Sequence, residues 1–320
     1  MKWFGLLLNL IILTKIIYFI VGPTAIGKSK FAINLAKKIN GHVINADSMQ
    51  VYNNLEILSA RPNIIETKEI THHLYGHIQG DERYNVSKWC NEASNVIDRC
   101  YKENITPILV GGTGLYFDKL VNGLADIPAI PEKFKKESDK LLDQEGKNNF
   151  YNIVKNLDLQ YVSQINLNDI KRLKRVWEVF MYTGMNLTTW HNSNSNIFLK
   201  NKQKYKLILF LPNRSENYDR VNNRFIKMFN EGAINEVREL LSLNLNNTLP
   251  IMKAHGVPEI SLYLKNIISK NDCIERAQKA TRNYVKRQHT WWNGTKMEIF
   301  KKINQFPDEI DFNSIKFVWN

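Results

Sequence analysis

Cysteine is scarce in this chain of 320 residues: Cys90, Cys100 and Cys273 are the whole supply, and none belongs to a Cys-x-x-Cys pair. An odd number without pairing argues against a disulfide framework or a cysteine-built zinc module and fits a reducing compartment. Acids are also short, 31 against 44 lysines and arginines, giving a net charge of +13 and a pI near 9.4. Such an imbalance points to a polyanionic partner, because each phosphate neutralised by a basic side chain releases condensed counterions. Composition alone leaves a generally basic protein as the other reading. Internal repeats are lacking, and the one low-complexity tract is a short Asn/Ser run at residues 191–196. The organisation therefore has to be read from individual motifs. A hydrophobic content of 43% suits one sizeable folded domain with a smaller companion.

An uninterrupted membrane span is missing too. Residues 3–22, WFGLLLNLIILTKIIYFIVG, have the length of one, but Lys15 interrupts them. A secretory signal finds its basic residue in Lys2 but no small-residue cleavage site before Tyr18. Both readings consume the strand that the following glycine loop needs. Residues 16–21 are therefore read as a buried strand, and residues 1–15 as an N-terminal extension of uncertain status, with a membrane anchor the lesser reading.

The stretch after that strand is specific. Residues 22–29, GPTAIGKS, match Gly-x4-Gly-Lys-Ser/Thr between an apolar strand and a helical pattern carried by Phe31, Leu35 and Ile39. The glycines let backbone N–H groups converge on an anion at a helix N-terminus, Lys28 neutralises it, and the Ser29 hydroxyl can ligate Mg²⁺. An ATPase or GTPase of this kind also needs an acid at the end of a second apolar strand. None ends TPILVGGTGLY at residues 106–116, which runs into glycines. An acid does end HVINADSMQVY, where Asp47 follows a strand over residues 42–46, on the sheet edge where ligands of open α/β sheets bind. A turn or helix-cap aspartate is the alternative reading of Asp47.

The segment DIPAIPEKF, with Pro128 and Pro131, marks a boundary. Residues 126–199 read as a helical insertion into an α/β core of residues 16–125 and 200–320, with KYKLILFL at 204–211 returning as a buried strand. Inside the insertion, Asn168 or Asp169 can cap a helix carrying Lys171, Arg172, Lys174 and Arg175 opposite a core stripe of Leu173, Val176, Trp177 and Phe180. A second basic helix is expected to start at Asn271 or Asp272, with Glu275 closing a capping box. It places Arg276, Lys279, Arg282 and Lys286 in one stripe, with Tyr284, Arg287 and Trp291 nearby. The adjacent His72 and His73 have no third ligand at metal-binding spacing, which argues against a metal there.

Taken in order, GPTAIGKS, NADSMQVY, HHLYG, GGTGLYF, NDIKRLKRVWEVF, YDRVNNRFIKMF and ATRNYVKRQHTWW resemble the tRNA dimethylallyltransferase (tRNA isopentenyltransferase) family across residues 18–292. The resemblance implies a P-loop NTPase-like α/β fold, a parallel sheet flanked by helices with a mostly helical tRNA-binding insertion. It implies transfer of a dimethylallyl group from its diphosphate to N6 of the adenosine immediately 3′ of the anticodon, in tRNAs reading codons that begin with U. The loop, Gly22, Pro23, Thr24, Ala25, Ile26, Gly27, Lys28 and Ser29, then holds the donor's diphosphate, with Mg²⁺ on Ser29. Asp47 becomes the base that takes the amine proton, Thr24 lies near the reacting atoms, and Arg220 is a cation for the leaving group. Ser48, Met49 and Gln50 would hold the extruded nucleotide, an extrusion required because the base is otherwise stacked. Thr113, Lys171, Arg172, Arg175, Lys286 and Arg287 would meet the tRNA anticodon stem-loop. A cytoplasmic monomer without stable membrane association is expected.

Three departures from the family pattern stand out: Ile26 for a usual serine, Leu58-Ser59-Ala60-Arg61 before Pro62, and His255, Val257 and Pro258 within AHGVPE. Rival readings are a prenyltransferase for free adenine nucleotide, which needs no basic insertion, a small-molecule kinase in which Asp47 activates a hydroxyl, and a non-catalytic RNA-binding protein. Retention of Lys28, Ser29 and Asp47 argues against the last.

Overall fold

The computed structural model describes residues 16–193, 195–196, 198–199 and 204–318, so the reading of residues 1–15 lies outside the described residues. In chain order the elements are β1 (Ile16–Val21), α1 (Lys28–Ile39), β2 (Gly41–Asn45), α2 (Ile64–Glu69), β3 (His72–His73), α3 (Val86–Lys102) and β4 (Thr106–Gly111). Then come α4 (Gly114–Asn122), β5 (Leu124–Ala125), α5 (Glu132–Leu157), α6 (Leu159–Val162), α7 (Ile170–Thr183), α8 (Leu187–Ser193) and β6 (Ser195–Asn196). The chain continues through β7 (Lys204–Phe210), α9 (Arg214–Met228), α10 (Ile234–Ser242), α11 (Val257–Leu264), α12 (Lys270–Asn293) and β8 (Lys301–Ile303). The described chain clusters into two units, one of Met1–Lys119 with Leu199–Asn320 and one of Leu120–Phe198.

The first unit is built on six parallel strands in the order β3-β2-β4-β1-β7-β8. Strand β1, IIYFIV, is apolar along its whole length because both of its faces are covered, as parallel sheets require. On one face Ile20, Phe31, Leu35, Ile108 and Phe210 form a continuous core. On the other, Phe19 packs against Phe117 and stacks on Tyr205. Because all strands run the same way, the segments leaving β1, β2 and β4 emerge together at one sheet edge, and this is what assembles a site there.

Two glycines allow the strand ends to close in. A Cβ on Gly111 would stand 2.1 Å from the Ala46 carbonyl oxygen, and one on Gly22, whose φ is 147°, would stand 2.2 Å from that of Phe210. Neither backbone oxygen can yield, so the ends of β4 and β2, and of β1 and β7, approach only because these residues lack side chains.

Helices α9 to α12 complete this unit, with α9 running into a π-helical turn over Phe229–Ala233 and α12 packing along α9. The start of α12 differs from the sequence expectation. Ser269 is the N-cap and Asp272, rather than Glu275, closes the box: the Asp272 amide donates to Ser269 Oγ at 3.1 Å and the Asp272 carboxylate takes the Ser269 hydroxyl at 2.7 Å. The helix starts two residues earlier than expected because Ser269 can cap it while the exposed Asp272 takes the third helical place, where its charge suits the helix N-terminus.

The second unit has its own core of Phe150, Val154, Val162, Leu173, Val176, Trp177 and Leu187. Asp169 caps α7 by accepting from the Arg172 amide at 3.3 Å. Lys171 and Arg172 are exposed, while Lys174 pairs with Asp139. Arg175 is half-buried beside the buried Glu178. The antiparallel pair β5–β6 ties the two ends of this unit together.

Candidate active site

The loop between β1 and α1 has the form that an anion would need. Ala25 and Gly27 take left-handed backbone conformations, at φ 64° and 94°, and α1 begins with no side-chain cap and no acid in its first turn. Its free N–H groups and the positive end of its dipole are thus left for a ligand. Lys28 bends back to donate to the Pro23 carbonyl at 2.5 Å. Burial pushes its ammonium down to about 7, with the Arg224 charge acting in the same direction and Asp47 opposing both. Ile26 explains its departure from the family pattern: it is fully buried in the sheet core, so this position packs and contributes only its amide to the loop.

That buried lysine has a consequence for stability. Its folded-state value lies below the ordinary 10.5, so between about 7 and 10.5 the unfolded chain holds a proton that the folded chain does not. Stability therefore rises with pH through that window, and below about 7 the penalty for a buried ammonium is present in full. Thermal melts of ligand-free protein from about pH 6.5 to about pH 9.5 should show this rise. Lys28→Met should abolish it, and inorganic diphosphate, by giving the ammonium a partner, should flatten it. An unchanged slope in Lys28→Met would assign the rise to other groups.

Asp47 is both a turn residue and a site residue. Its Oδ1 accepts from the Met49 amide at 2.8 Å and the Gln50 amide at 3.4 Å, an Asx turn that closes the segment after β2. Oδ2 takes no such bond among the described residues. Behind it, the fully buried Asn45 accepts from the Asp47 amide at 2.8 Å and donates to the Asp47 carbonyl at 3.0 Å and the Leu74 carbonyl at 2.9 Å. The Asn45 carbonyl in turn receives the Trp89 indole at 2.7 Å, and Trp89 stacks on Tyr116.

Asp47, Ser48 and Met49 share with Thr24 the wall of a cavity of about 280 Å³. Its apolar lining includes Leu58, Val221, Phe225 and Met228, and its polar lining includes Arg224, Lys253, His255, Tyr284 and Arg287. Arg224 Nη2 donates to Thr24 Oγ1 at 2.9 Å, and the Gln288 side chain accepts from the Thr24 amide at 2.9 Å. Burial lowers the Arg224 guanidinium to about 10, against the pull of Asp47, and it stays charged at neutral pH. Burial first, then Asp47, raises the Tyr284 phenol above its ordinary value. His255 packs against Tyr284 at 5.1 Å and is held below the usual histidine value by burial and by Arg287. The segment bearing Leu58 is pinned by Glu236, whose carboxylate accepts the amides of Glu56, Ile57 and Leu58.

Some expected residues lie elsewhere. Arg220 is not among the cavity residues: it makes two hydrogen bonds to Asp308, one to Glu309 at 2.8 Å, and lies 3.6 Å over the Phe306 ring. Asp308 itself lies against the phosphate loop, 3.7 Å from where a Cβ on Gly27 would stand, while Arg224, one helical turn further along α9, lines the cavity. The Gln50 side chain faces away from a ligand role and donates to the Ser59 and Ala60 carbonyls. Arg61 is likewise bound inside its own segment, to the Tyr52 and Asn53 carbonyls and Glu56. Thr113 Oγ1 is shielded from solvent beside Tyr284. Of the α12 stripe, Arg282 is held by Asn222, whereas Arg276, Lys279 and Lys286 are exposed. Trp292 is core, and Trp291 lies where a side chain on Gly114 would collide with it. Arg224, Lys253 and Asn45 were invisible in sequence, apart from the recurrence of arginine within YDRVNNRF.

Comparison with known proteins decides the family. Residues 50–295 match the family described as IPP transferase, and residues 15–76 that described as isopentenyl transferase. A tRNA dimethylallyltransferase of Ehrlichia ruminantium is 37% identical over 94% of this chain and 97% of its own, and one of Ehrlichia chaffeensis is 39% identical over 86% and 90%. The chain belongs to the tRNA dimethylallyltransferase family. Among solved members of the family, the full-length tRNA isopentenylpyrophosphate transferase of Bacillus halodurans is 28% identical with a TM-score of 0.67, covering 95% of this chain and 94% of its own. A eukaryotic dimethylallyltransferase captured acting on tRNA is 27% identical with a TM-score of 0.77, covering 95% of this chain and 78% of its own. The chain shares with these relatives a fold in which a parallel sheet is flanked by helices, and no described helix is long and apolar enough to cross a membrane.

Proposed function

We propose that the cavity holds dimethylallyl diphosphate and passes its prenyl group to N6 of the adenosine immediately 3′ of the anticodon, in tRNAs reading codons that begin with U. The observation that carries this reading is that one cavity combines apolar side chains, Leu58, Val221, Phe225 and Met228, with a polar group of Thr24, Arg224 and Asp47 beside Lys28. A short isoprenoid chain suits the first and a diphosphate the second.

Breaking the allylic C–O bond leaves positive charge on the prenyl carbon and negative charge on the diphosphate. Fixed loop amides, Lys28 and Arg224 lower that barrier because they are already aimed at the leaving group. Asp47 accepts a hydrogen bond from the exocyclic amine, orients its lone pair and takes its proton as the C–N bond forms. Ser48 and Met49 line the cavity beside it, against the extruded base. The Ser29 hydroxyl is a hard oxygen ligand of the kind Mg²⁺ takes while keeping several waters and substrate phosphates, so it fits that ion. When bound, Mg²⁺ neutralises diphosphate charge.

Lys171, Arg172 and Arg175 on α7, with Lys286 and Arg287 on α12, supply the cations for the tRNA backbone, in a monomer working in the cytoplasm. Arg172→Ala with Arg175→Ala is expected to raise the KM for tRNA and to flatten its salt dependence by on the order of one unit of log–log slope for each phosphate no longer neutralised. A slope equal to that of the parent protein would place the grip on the stem elsewhere.

The direct test incubates the full chain with dimethylallyl diphosphate, Mg²⁺ and unmodified tRNA, without ATP, followed by digestion and mass spectrometry. Prenylated adenosine beside the anticodon is the expected product. Prenylated AMP, or consumption of ATP with a small acceptor, would replace this reading with one of its rivals.

A further inference from the structure

On β2, well before the Asp47 turn, a second group of side chains converges. His42 lies at the start of β2, His73 ends β3 and Cys100 sits in the last turns of α3. His42 Nδ1 and His73 Nε2 are 3.0 Å apart, and the Cys100 sulfur joins them so that all three donor atoms lie within 4.8 Å of one another. The neighbouring His72 takes no part: its Nδ1 stands 2.7 Å from the Ile70 carbonyl. A hydrogen bond between two imidazoles accounts for the nitrogen contact, but it does not account for a thiol brought to the same point by a third element.

We propose that His42, His73 and Cys100 form a zinc site, with two nitrogen ligands, one thiolate and a water completing the tetrahedron. Zn–N bonds of about 2.0–2.1 Å and a Zn–S bond of about 2.3 Å at tetrahedral angles separate the donors by roughly 3.4 to 3.6 Å. The nitrogens need part by only a few tenths of an ångström to meet that triangle, and the sulfur, within 4.8 Å of them, closes by up to about 1.2 Å through rotation of the Cys100 side chain. Imidazole and thiolate are borderline to soft donors that suit Zn²⁺ and reject Mg²⁺, so the site does not compete for the ion the diphosphate needs.

The environment prepares the ligands unequally. Burial, with the charges of His42, Arg99 and His72, pushes His73 down to about 4, and burial lowers His42, so both imidazoles are neutral at pH 7, and a tautomer shift in the one that donates across the pair turns both lone pairs to the ion. The Cys100 thiol is pushed up to about 11 by burial and Glu103. Zinc must therefore displace its proton: the S–H bond breaks, the S–Zn bond forms, and one proton leaves to solvent. His42 and His73 are half-exposed, which leaves the ion a way in.

Such an ion would tie the two-residue edge strand β3 to β2 and α3. His73 precedes Leu74, whose carbonyl is one of the anchors of Asn45, and Asn45 sets the Asp47 turn. Five residues of strand at about 3.3 Å each separate His42 from Asp47, on the order of 16 Å, so the site is separate from the prenyl cavity and acts on its support.

The test uses the full chain, purified without a histidine tag, stripped with chelator and dialysed against Zn²⁺ in Mg²⁺ buffer. Metal analysis should find one zinc per chain, with little retained by Cys100→Ala or His73→Gln. Cobalt(II) in place of zinc should give a thiolate-to-metal charge-transfer band that Cys100→Ala lacks. Zinc should also raise the melting temperature and slow alkylation of Cys100, leaving Cys90 and Cys273 unaffected. If a variant fails to fold by circular dichroism, the cobalt spectrum and the alkylation pattern of the parent protein decide alone. A cobalt spectrum without the thiolate band, or equal zinc retention by the parent and a folded Cys100→Ala, overturns the proposal.

Discussion

Replacing Asp47 by alanine is expected to lower kcat for prenyl transfer by about 10²- to 10⁴-fold while tRNA affinity changes little. The attacking nitrogen of adenosine has its lone pair delocalised into the purine, so it needs a carboxylate to orient it and remove its proton. Asp47 has for that task an Oδ2 that accepts no hydrogen bond among the described residues, while Oδ1 is occupied by the amides of Met49 and Gln50. The alanine variant removes both functions. Asp47→Asn keeps a carbonyl oxygen for the turn and removes only the base, so it separates them. If both variants lose kcat equally and both melt near the parent temperature, the carboxylate acts as the base. An asparagine variant with parental kcat would reduce Asp47 to a turn residue, the alternative its sequence position always allowed.

Arg224→Ala is expected to lower kcat/KM for the prenyl donor by about 10²- to 10³-fold, the usual loss on removing one donor aimed at developing negative charge. Arg220→Ala should leave transfer near the parent rate. The reason is position on one helix. Arg224 reaches Thr24 Oγ1 and the cavity, whereas Arg220, four residues earlier, is bound to Asp308 and Glu309 and stacked on Phe306. Losing that partly exposed ion pair should cost at most about 1 kcal/mol of stability, plus the packing on Phe306. Steady-state kinetics on both variants, with melts to control for folding, compares the two directly. The reverse ranking would mean that Arg220 leaves its acidic partners when diphosphate binds.

The departures from the family pattern sort by where the fold puts them. Ile26 is a core residue and Arg61 a bridge within its own segment, and neither side chain lines the cavity. Leu58, Ser59 and His255 do line the cavity. They belong with any difference in donor preference between this chain and its relatives.

The parts legible in sequence were those that depend on local chemistry. A glycine loop with Lys28 and Ser29 after an apolar strand can do little except wrap an anion. An acid directly after a strand in a parallel sheet must face the same edge as that loop, and a helical insertion between proline and asparagine boundaries shows in its 3.6-residue periodicity. What sequence could not decide was which of several chemically equivalent side chains arrives. Arg220 and Arg224 lie one turn apart on α9, and only the packing of α9 and of the segment after β8 determines which guanidinium is captured by Asp308 and which reaches Thr24. Asn45 looks like any strand residue until burial leaves its amide to bridge Asp47 and Leu74. His42, His73 and Cys100 are spread over three elements, and it is the pairing of β3 on β2, with α3 beside them, that makes neighbours of residues with no common spacing.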